Sequence, residues 1–156
     1  MTTDLFSVQL HSMQATDLDE VCAIEQAVYS HPWSRGNFAD ALSLDYDAWV
    51  ARSDQGELLG YFVQMPVIDE SCLLTLAVQS AAQGQGIARL LLEQLLYRAR
   101  VMQLLSISLE VRVSNERAVR LYQACGFLTV GRRKAYYQTT SGQREDALIM
   151  QMQVPH

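Results

Sequence analysis

Two stretches hold residues whose types and spacing could do chemistry. Gln83-Gly84-Gln85-Gly86-Ile87-Ala88 follows an apolar run, Leu73 to Val78, and opens a helical pattern from Ile87 to about Met102. A strand, a glycine turn and a helix offer backbone N–H groups to an anion, because the first helical turn has no internal partners for its amides. Glycines add close approach, since no Cβ stands in the way. The second stretch is Leu104 to Val113, where Ile107, Leu109, Val111 and Val113 point one way and Ser106, Ser108, Glu110 and Arg112 the other. Glu110 is therefore a carboxyl on the polar face of a strand whose other face is core. It reads either as a general base or as a solvated residue paired with Arg112 or Arg89.

The anion is not settled by the glycines alone. A nucleoside-triphosphate loop needs Gly-x-x-x-x-Gly-Lys-Ser/Thr, and neither Lys nor a hydroxyl residue follows Gly86. The dinucleotide fingerprint Gly-x-Gly-x-x-Gly fits Gly84 and Gly86. Against it, Arg89 fills the third glycine position and Gln79 to Gln83 separate the strand from Gly84. A turn that binds nothing is the bland alternative. Cys125 offers a rival chemistry through an acyl-cysteine. It precedes the helix-ending Gly126, where the helix dipole opposes a thiolate, and no base lies near it in sequence. His11, His31 and His156 have no spacing that suggests a metal or a triad, and no metal is expected.

The elements that position these residues read as an alternating α/β (α+β) chain. Phe6 to Met13 is a candidate first strand. Thr16 is a candidate N-cap with Asp19 closing an acidic capping box, ahead of a helix that Pro32 stops. Ser34 caps a second short helix to about Leu42. Asp47 to Ser53, Leu58 to Val67 and Ser71 to Val78 form a three-strand meander. The third is almost unbroken in apolar character, which suggests burial on both faces. After the long helix and the Glu110 strand, Asn115 caps a helix that ends at Gly126. Strands at Phe127 to Tyr137 and Ala147 to Gln153 close the chain. The total is about seven strands and four helices, one of which crosses between two strands.

The 156 residues predict one domain, residues 1–156. A hydrophobic fraction of 49% with 19% charged residues is that of a globular protein. The net charge of −5 argues against direct nucleic-acid binding, which needs clustered basic residues. Cys22, Cys72 and Cys125 are far apart, so no disulfide framework is expected, and Cys22 and Cys72 read as small hydrophobes. No run reaches the roughly 18 apolar residues of a membrane span, and no signal peptide is read at the start. A cytoplasmic protein is expected, most simply a monomer.

Gln83-x-x-Gly86-x-Ala88 resembles the Gln/Arg-x-x-Gly-x-Gly/Ala signature of the Gcn5-related N-acetyltransferase (GNAT) superfamily, in the expected place between a strand and the third helix. Further motifs are similar to those of the bacterial RimI family. They are His31-Pro32-Trp33-Ser34 with Phe38, Leu109-Glu110-Val111-Arg112 with Ser114-Asn115, Leu121-Tyr122 with Gly126-Phe127, and Tyr136-Tyr137 with Arg144-Glu145-Asp146-Ala147. The resemblance implies a GNAT fold and transfer of acetyl from acetyl-CoA to the N-terminal alanine of ribosomal protein S-18. It implies that Gly84, Gln85, Gly86, Ile87, Ala88 and Arg89 surround the CoA phosphates and that Leu76, Ala77 and Val78 border the pantetheine arm, with Asn115 at its end. It also implies Glu110 as base, Tyr122 as acid for the CoA thiolate, and a backbone N–H near Val78 as oxyanion donor. Trp33, Tyr136 and Tyr137 would line the acceptor groove, shaped in part by the loop at His31. The sequence departs from that family at Gly84, where a basic residue is usual, at Gln79-Ser80, where Asp-Pro is usual, and in a longer final hairpin. A small-molecule amine is the alternative acceptor, and a non-catalytic acyl-CoA-binding module the alternative outside enzymes.

Overall fold

The computed structural model describes residues 4–156. In chain order it has β1 (Gln9–Ser12), α1 (Leu18–Val28), α2 (Arg35–Ser43), β2 (Asp47–Arg52), β3 (Leu58–Val67), β4 (Glu70–Val78), α3 (Ile87–Val101), β5 (Ser106–Arg112), α4 (Glu116–Ala124), β6 (Leu128–Gln138) and β7 (Arg144–Gln153). The strands follow the order β1-β2-β3-β4-β5-β7-β6 in a seven-stranded mixed sheet. Only a crossover connection can make two successive strands parallel. α3 is that crossover, and β4 and β5 pair in parallel from Glu70↔Ser106 to Cys72↔Ser108. The expected architecture of seven strands and four helices is the one observed.

The chain divides into two compact units. The first is the chain to Met65 together with Leu74–Leu95. Its core gathers Val21, Ile24, Phe38, Val50, Tyr61 and Val63, with Trp33 packed against them. The buried side of α1 is Leu18, Val21, Ile24 and Glu25, the i, i+3, i+6, i+7 stripe of an amphipathic helix. One of the four is a carboxyl. At α2 the Ser34 side chain accepts from Asn37 N–H, while the Asn37 side chain accepts from Ser34 N–H, so the expected cap is present.

Two expectations near the start of the chain are corrected. Phe6 and Ser7 belong to a single helical turn, Leu5–Ser7, not to β1, because the Asp4 carboxylate accepts the Phe6 N–H at 3.0 Å and folds the chain back. Thr16 and Asp19 do not cap α1. The Asp17 carboxylate takes the Gln14 N–H at 2.7 Å, and Arg52 holds that same carboxylate from β2 at 2.6 Å. A tertiary ion pair thus selects which acid closes the turn. In β4 burial alternates up to Leu74 and is continuous only from Thr75 to Val78, so burial on both faces holds for the second half of the strand.

The second unit is Pro66–Leu73 with Leu96–His156. β5 alternates as expected from Ile107 on, with Ile107, Leu109 and Val111 buried and Ser108, Glu110 and Arg112 half-exposed, but Ser106, expected on the polar face, is buried. It pairs antiparallel with β7, Glu110 opposite Ile149 and Arg112 opposite Ala147. β7 begins three residues earlier than expected, because Gln138↔Arg144 and Tyr137↔Glu145 extend its ladder with β6. The register of that ladder slips between Arg133 and Tyr137, where Ala135 has φ 51°. Gly126 follows α4 at φ 106°, the left-handed C′ position that glycine occupies without strain. No helix among the described residues is long and apolar enough to cross a membrane.

Candidate active site

The residues singled out by type and spacing fall into two groups, one in each unit. In the first unit, β4 ends in buried Leu76, Ala77 and Val78. β3 lies beside them in the sheet, and a Cβ added at its Gly60 would stand 2.6 Å from the Ala77 carbonyl oxygen. Only glycine lets the two backbones come this close. A helical turn, Ser80–Ala82, then carries the chain to the glycines, and the Gln83 side chain donates to the Val78 carbonyl at 3.1 Å. Gly84 and Gly86 have φ 79° and 86°, a left-handed conformation that favours glycine. The first backbone bond of α3 runs from Leu90 N–H to Gly86 O at 3.0 Å, leaving the amides of Ile87, Ala88 and Arg89 ahead of the helix's own ladder. A Cβ built at Gly84 meets no atom within 4 Å, and one at Gly86 meets only Leu5, at 3.2 Å. An open glycine turn at the N-terminus of a fifteen-residue helix suits a phosphate or pyrophosphate.

The same unit contains a polar cluster that the sequence did not disclose. Glu25 is 2% exposed. Its Oε1 accepts from the Tyr61 hydroxyl at 2.6 Å and the Thr75 hydroxyl at 2.9 Å, and its Oε2 accepts from Trp33 N–H at 2.9 Å. Burial, and then the Glu25 charge, push the Tyr61 phenol far above its ordinary value, so it stays a donor. Tyr29, the C-cap of α1, donates its hydroxyl to the Leu76 carbonyl. The Trp33 ring stands edge-on to Phe38 at 5.1 Å, so the side chain packs in this unit's core.

In the second unit, the Glu110 carboxylate is ion-paired to Arg133 Nε of β6 at 3.2 Å. Arg112, on the same face of β5, pairs with Glu145 at 3.0 Å and lies over the Tyr137 ring at 4.4 Å. Tyr136 and Tyr137 meet edge-to-face at 5.0 Å, and Arg133 lies over Tyr136 at 5.1 Å. Burial, and next the Glu110 charge, push the Tyr137 phenol up to about 12. Glu110, Tyr136 and Tyr137 are therefore brought together around two guanidinium groups. Hydrogen bonds from Ser114 and Arg112 hold the Glu145 carboxyl below the usual range. The Ala135 N–H and Arg132 do the same for Asp146, which fixes the slipped segment of β6.

On α4, Asn115 Oδ1 accepts the Ala118 N–H at 3.3 Å, so this side chain caps the helix. Tyr122 is 8% exposed and packs edge-on against Phe127 at 5.7 Å. Cys125 is the C-cap residue, its N–H on the Leu121 and Tyr122 carbonyls. Cys22 and Cys72 are half-buried thiols whose pKa values burial raises, in keeping with packing. No group of three or more His, Cys, Asp or Glu suited to a metal ion occurs among the described residues.

Glycine turn, crossover helix and mixed sheet define an acyltransferase architecture, and the chain belongs to the acetyltransferase (GNAT) family, whose model matches residues 18–127. The match runs through segments of both units. Over 145 residues the chain is 35% identical to the [ribosomal protein bS18]-alanine N-acetyltransferase of Escherichia coli (strain K12), covering 93% of this chain and 97% of that protein. It is 35% identical over 139 residues to the enzyme of the same name from Haemophilus ducreyi, covering 86% and 92%. The crystal structure of the Escherichia coli ribosomal-protein alanine N-acetyltransferase superposes with a TM-score of 0.89 at 34% identity, covering 96% of this chain and 95% of that one.

Proposed function

We propose that this protein transfers acetyl from acetyl-CoA to the N-terminal alanine of ribosomal protein S-18, in the cytoplasm, with residues 1–156 working as one GNAT domain and a monomer. The observation that carries the acceptor is the likeness, over nearly the full length of both chains, to enzymes named for that reaction. Acetyl-CoA brings the acetyl group as an activated thioester. The amides of Gly84 to Arg89 hold its phosphates, Leu76 to Val78 run beside the pantetheine arm, and Asn115 stands at the end of that arm. The positive-φ glycines and the open space over Gly84 support this fit.

Glu110 takes the proton that the acceptor α-amino group must lose, because only the neutral amine attacks. A half-exposed ion pair of this kind contributes little to stability, so Glu110 can exchange Arg133 for the amine without large cost. A backbone N–H near Val78 faces the acetyl oxygen as it gains charge. Tyr122 gives a proton to the departing sulfur. Tyr136, Tyr137 and the Trp33 loop border the acceptor. Attack is direct: Cys125 sits at the C-terminal end of its helix, where the dipole disfavours a thiolate. The test is acetylation of an S-18-like N-terminal peptide against a polyamine panel. The peptide is the expected substrate, and preference for a polyamine rejects the reading.

A further inference from the structure

We infer that Glu25 is a positioning residue for the acceptor: its buried carboxylate ties the loop carrying Trp33 to β4 at Thr75, next to the strand end that the proposed function assigns to acetyl-CoA. The inference rests on that reading for the role of the two segments. Its geometry stands independently, and every contact lies within the first unit.

The loop after α1 is fastened at both ends to consecutive residues of β4. At its start, Tyr29 donates its hydroxyl to the Leu76 carbonyl, and Tyr29 N–H bonds the Glu25 carbonyl at 3.0 Å. At its end, Trp33 N–H reaches Glu25 Oε2, while Oε1 of the same carboxylate takes the Thr75 hydroxyl and, from β3, the Tyr61 hydroxyl. One side chain thus fixes a loop, a strand and its neighbour. A buried carboxyl is an expensive way to fill core volume. Glu25 lies on the apolar stripe of α1, where a leucine would pack without polar partners. The acid is explained by its three acceptor bonds, and above all by the bond to the Trp33 amide, which no hydroxyl on β3 or β4 supplies.

Glutamine can reproduce this geometry. Its carbonyl oxygen would accept from Trp33 N–H, and its amide would donate to the Tyr61 and Thr75 oxygens, both of which can reverse roles. Alanine cannot. If Glu25 positions, Glu25→Gln keeps acceptor KM and kcat within about twofold. Glu25→Ala leaves a buried amide and two hydroxyls without their acceptor and raises acceptor KM about tenfold or more, with kcat reduced far less. Thr75→Val removes one strand anchor and raises KM severalfold, which keeps the test open should Glu25→Ala fold poorly.

The experiment measures acceptor KM and kcat for the wild type and the three variants, per folded molecule by circular dichroism, with whichever amine the wild type acetylates. Hydrogen exchange at the Trp33 amide is read in parallel. The expected result is high KM and lost Trp33 protection in Glu25→Ala, with both restored in Glu25→Gln. Wild-type KM in folded Glu25→Ala or Thr75→Val overturns the inference, leaving Glu25 a structural acid only. A kcat loss in Glu25→Gln as deep as that in Glu110→Gln also overturns it, because the charge and not the geometry would then act. If the wild type prefers a polyamine, the proposed acceptor fails while the Glu25 comparison, made with that amine, still decides the inference.

Discussion

Gly60→Ala tests the close approach of β3 to the end of β4. The added methyl would stand 2.6 Å from the Ala77 carbonyl oxygen and 3.0 Å from Leu91 Cδ1. Real Cβ atoms do not approach backbone oxygen this closely, so β4 or Leu91 must move. Overpacking of this kind costs about 1–3 kcal/mol. For a chain of this length, each kcal/mol lowers Tm by about 2–4 °C, so a fall of several degrees is expected. The residue displaced is Ala77, so acetyl-CoA affinity should fall as well. Gly131→Ala is the control, since its methyl would meet only the Ile149 side chain, at ordinary contact distances of 3.4 Å and beyond, and its Tm should stay within about 1 °C. Thermal melts and acetyl-CoA titration of both variants make the measurement. A Gly60→Ala protein with the melting point and acetyl-CoA affinity of its parent would refute this close approach.

Four further outcomes are expected. Glu110→Gln lowers kcat about 10²–10⁴-fold, with acetyl-CoA Kd nearly unchanged, as steady-state kinetics and titration will read. Gly86→Val weakens acetyl-CoA binding, because valine at φ 86° is strained and its side chain meets Leu5; the folded fraction is checked by circular dichroism. Cys125→Ala keeps activity, and no acetylated enzyme is trapped by mass spectrometry. The carboxyls of Glu145 and Asp146 have folded pKa values below their ordinary ones. Their contribution is full above about pH 5 and is lost as pH falls through the lowered values, so the tyrosine near-ultraviolet signal of the β6–β7 hairpin should fade below about pH 4.

Local chemistry was legible in the sequence where one side chain and its neighbours decide it. Ser34 and Asn37 close a capping box within a single turn, Gly126 ends α4, and the apolar alternation of β5 places Glu110 on the polar face. Distant partners were not legible. The Gln14–Asp17 turn displaced the expected Thr16 cap because Arg52 holds Asp17 across 35 residues. Arg133 reaches Glu110 only because β6 pairs with β7, the strand beside β5, with Arg133 opposite Ala147, and no periodicity in β6 announces that pairing. Glu25 looked like one polar residue in a helix. Its role needs Tyr61 and Thr75, 36 and 50 residues away. Arg133 and Glu25 each had one sequence signal, a charged residue in an otherwise apolar or strand pattern, but their partners are set by the fold.

The most direct measurement of the central claim is mass spectrometry of ribosomal proteins from otherwise identical cells with and without this protein. Acetyl on the N-terminal alanine of S-18 should be present in the first, absent in the second, and restored by the wild-type chain but not by Glu110→Gln. An S-18 N-terminus acetylated equally in both would contradict the account.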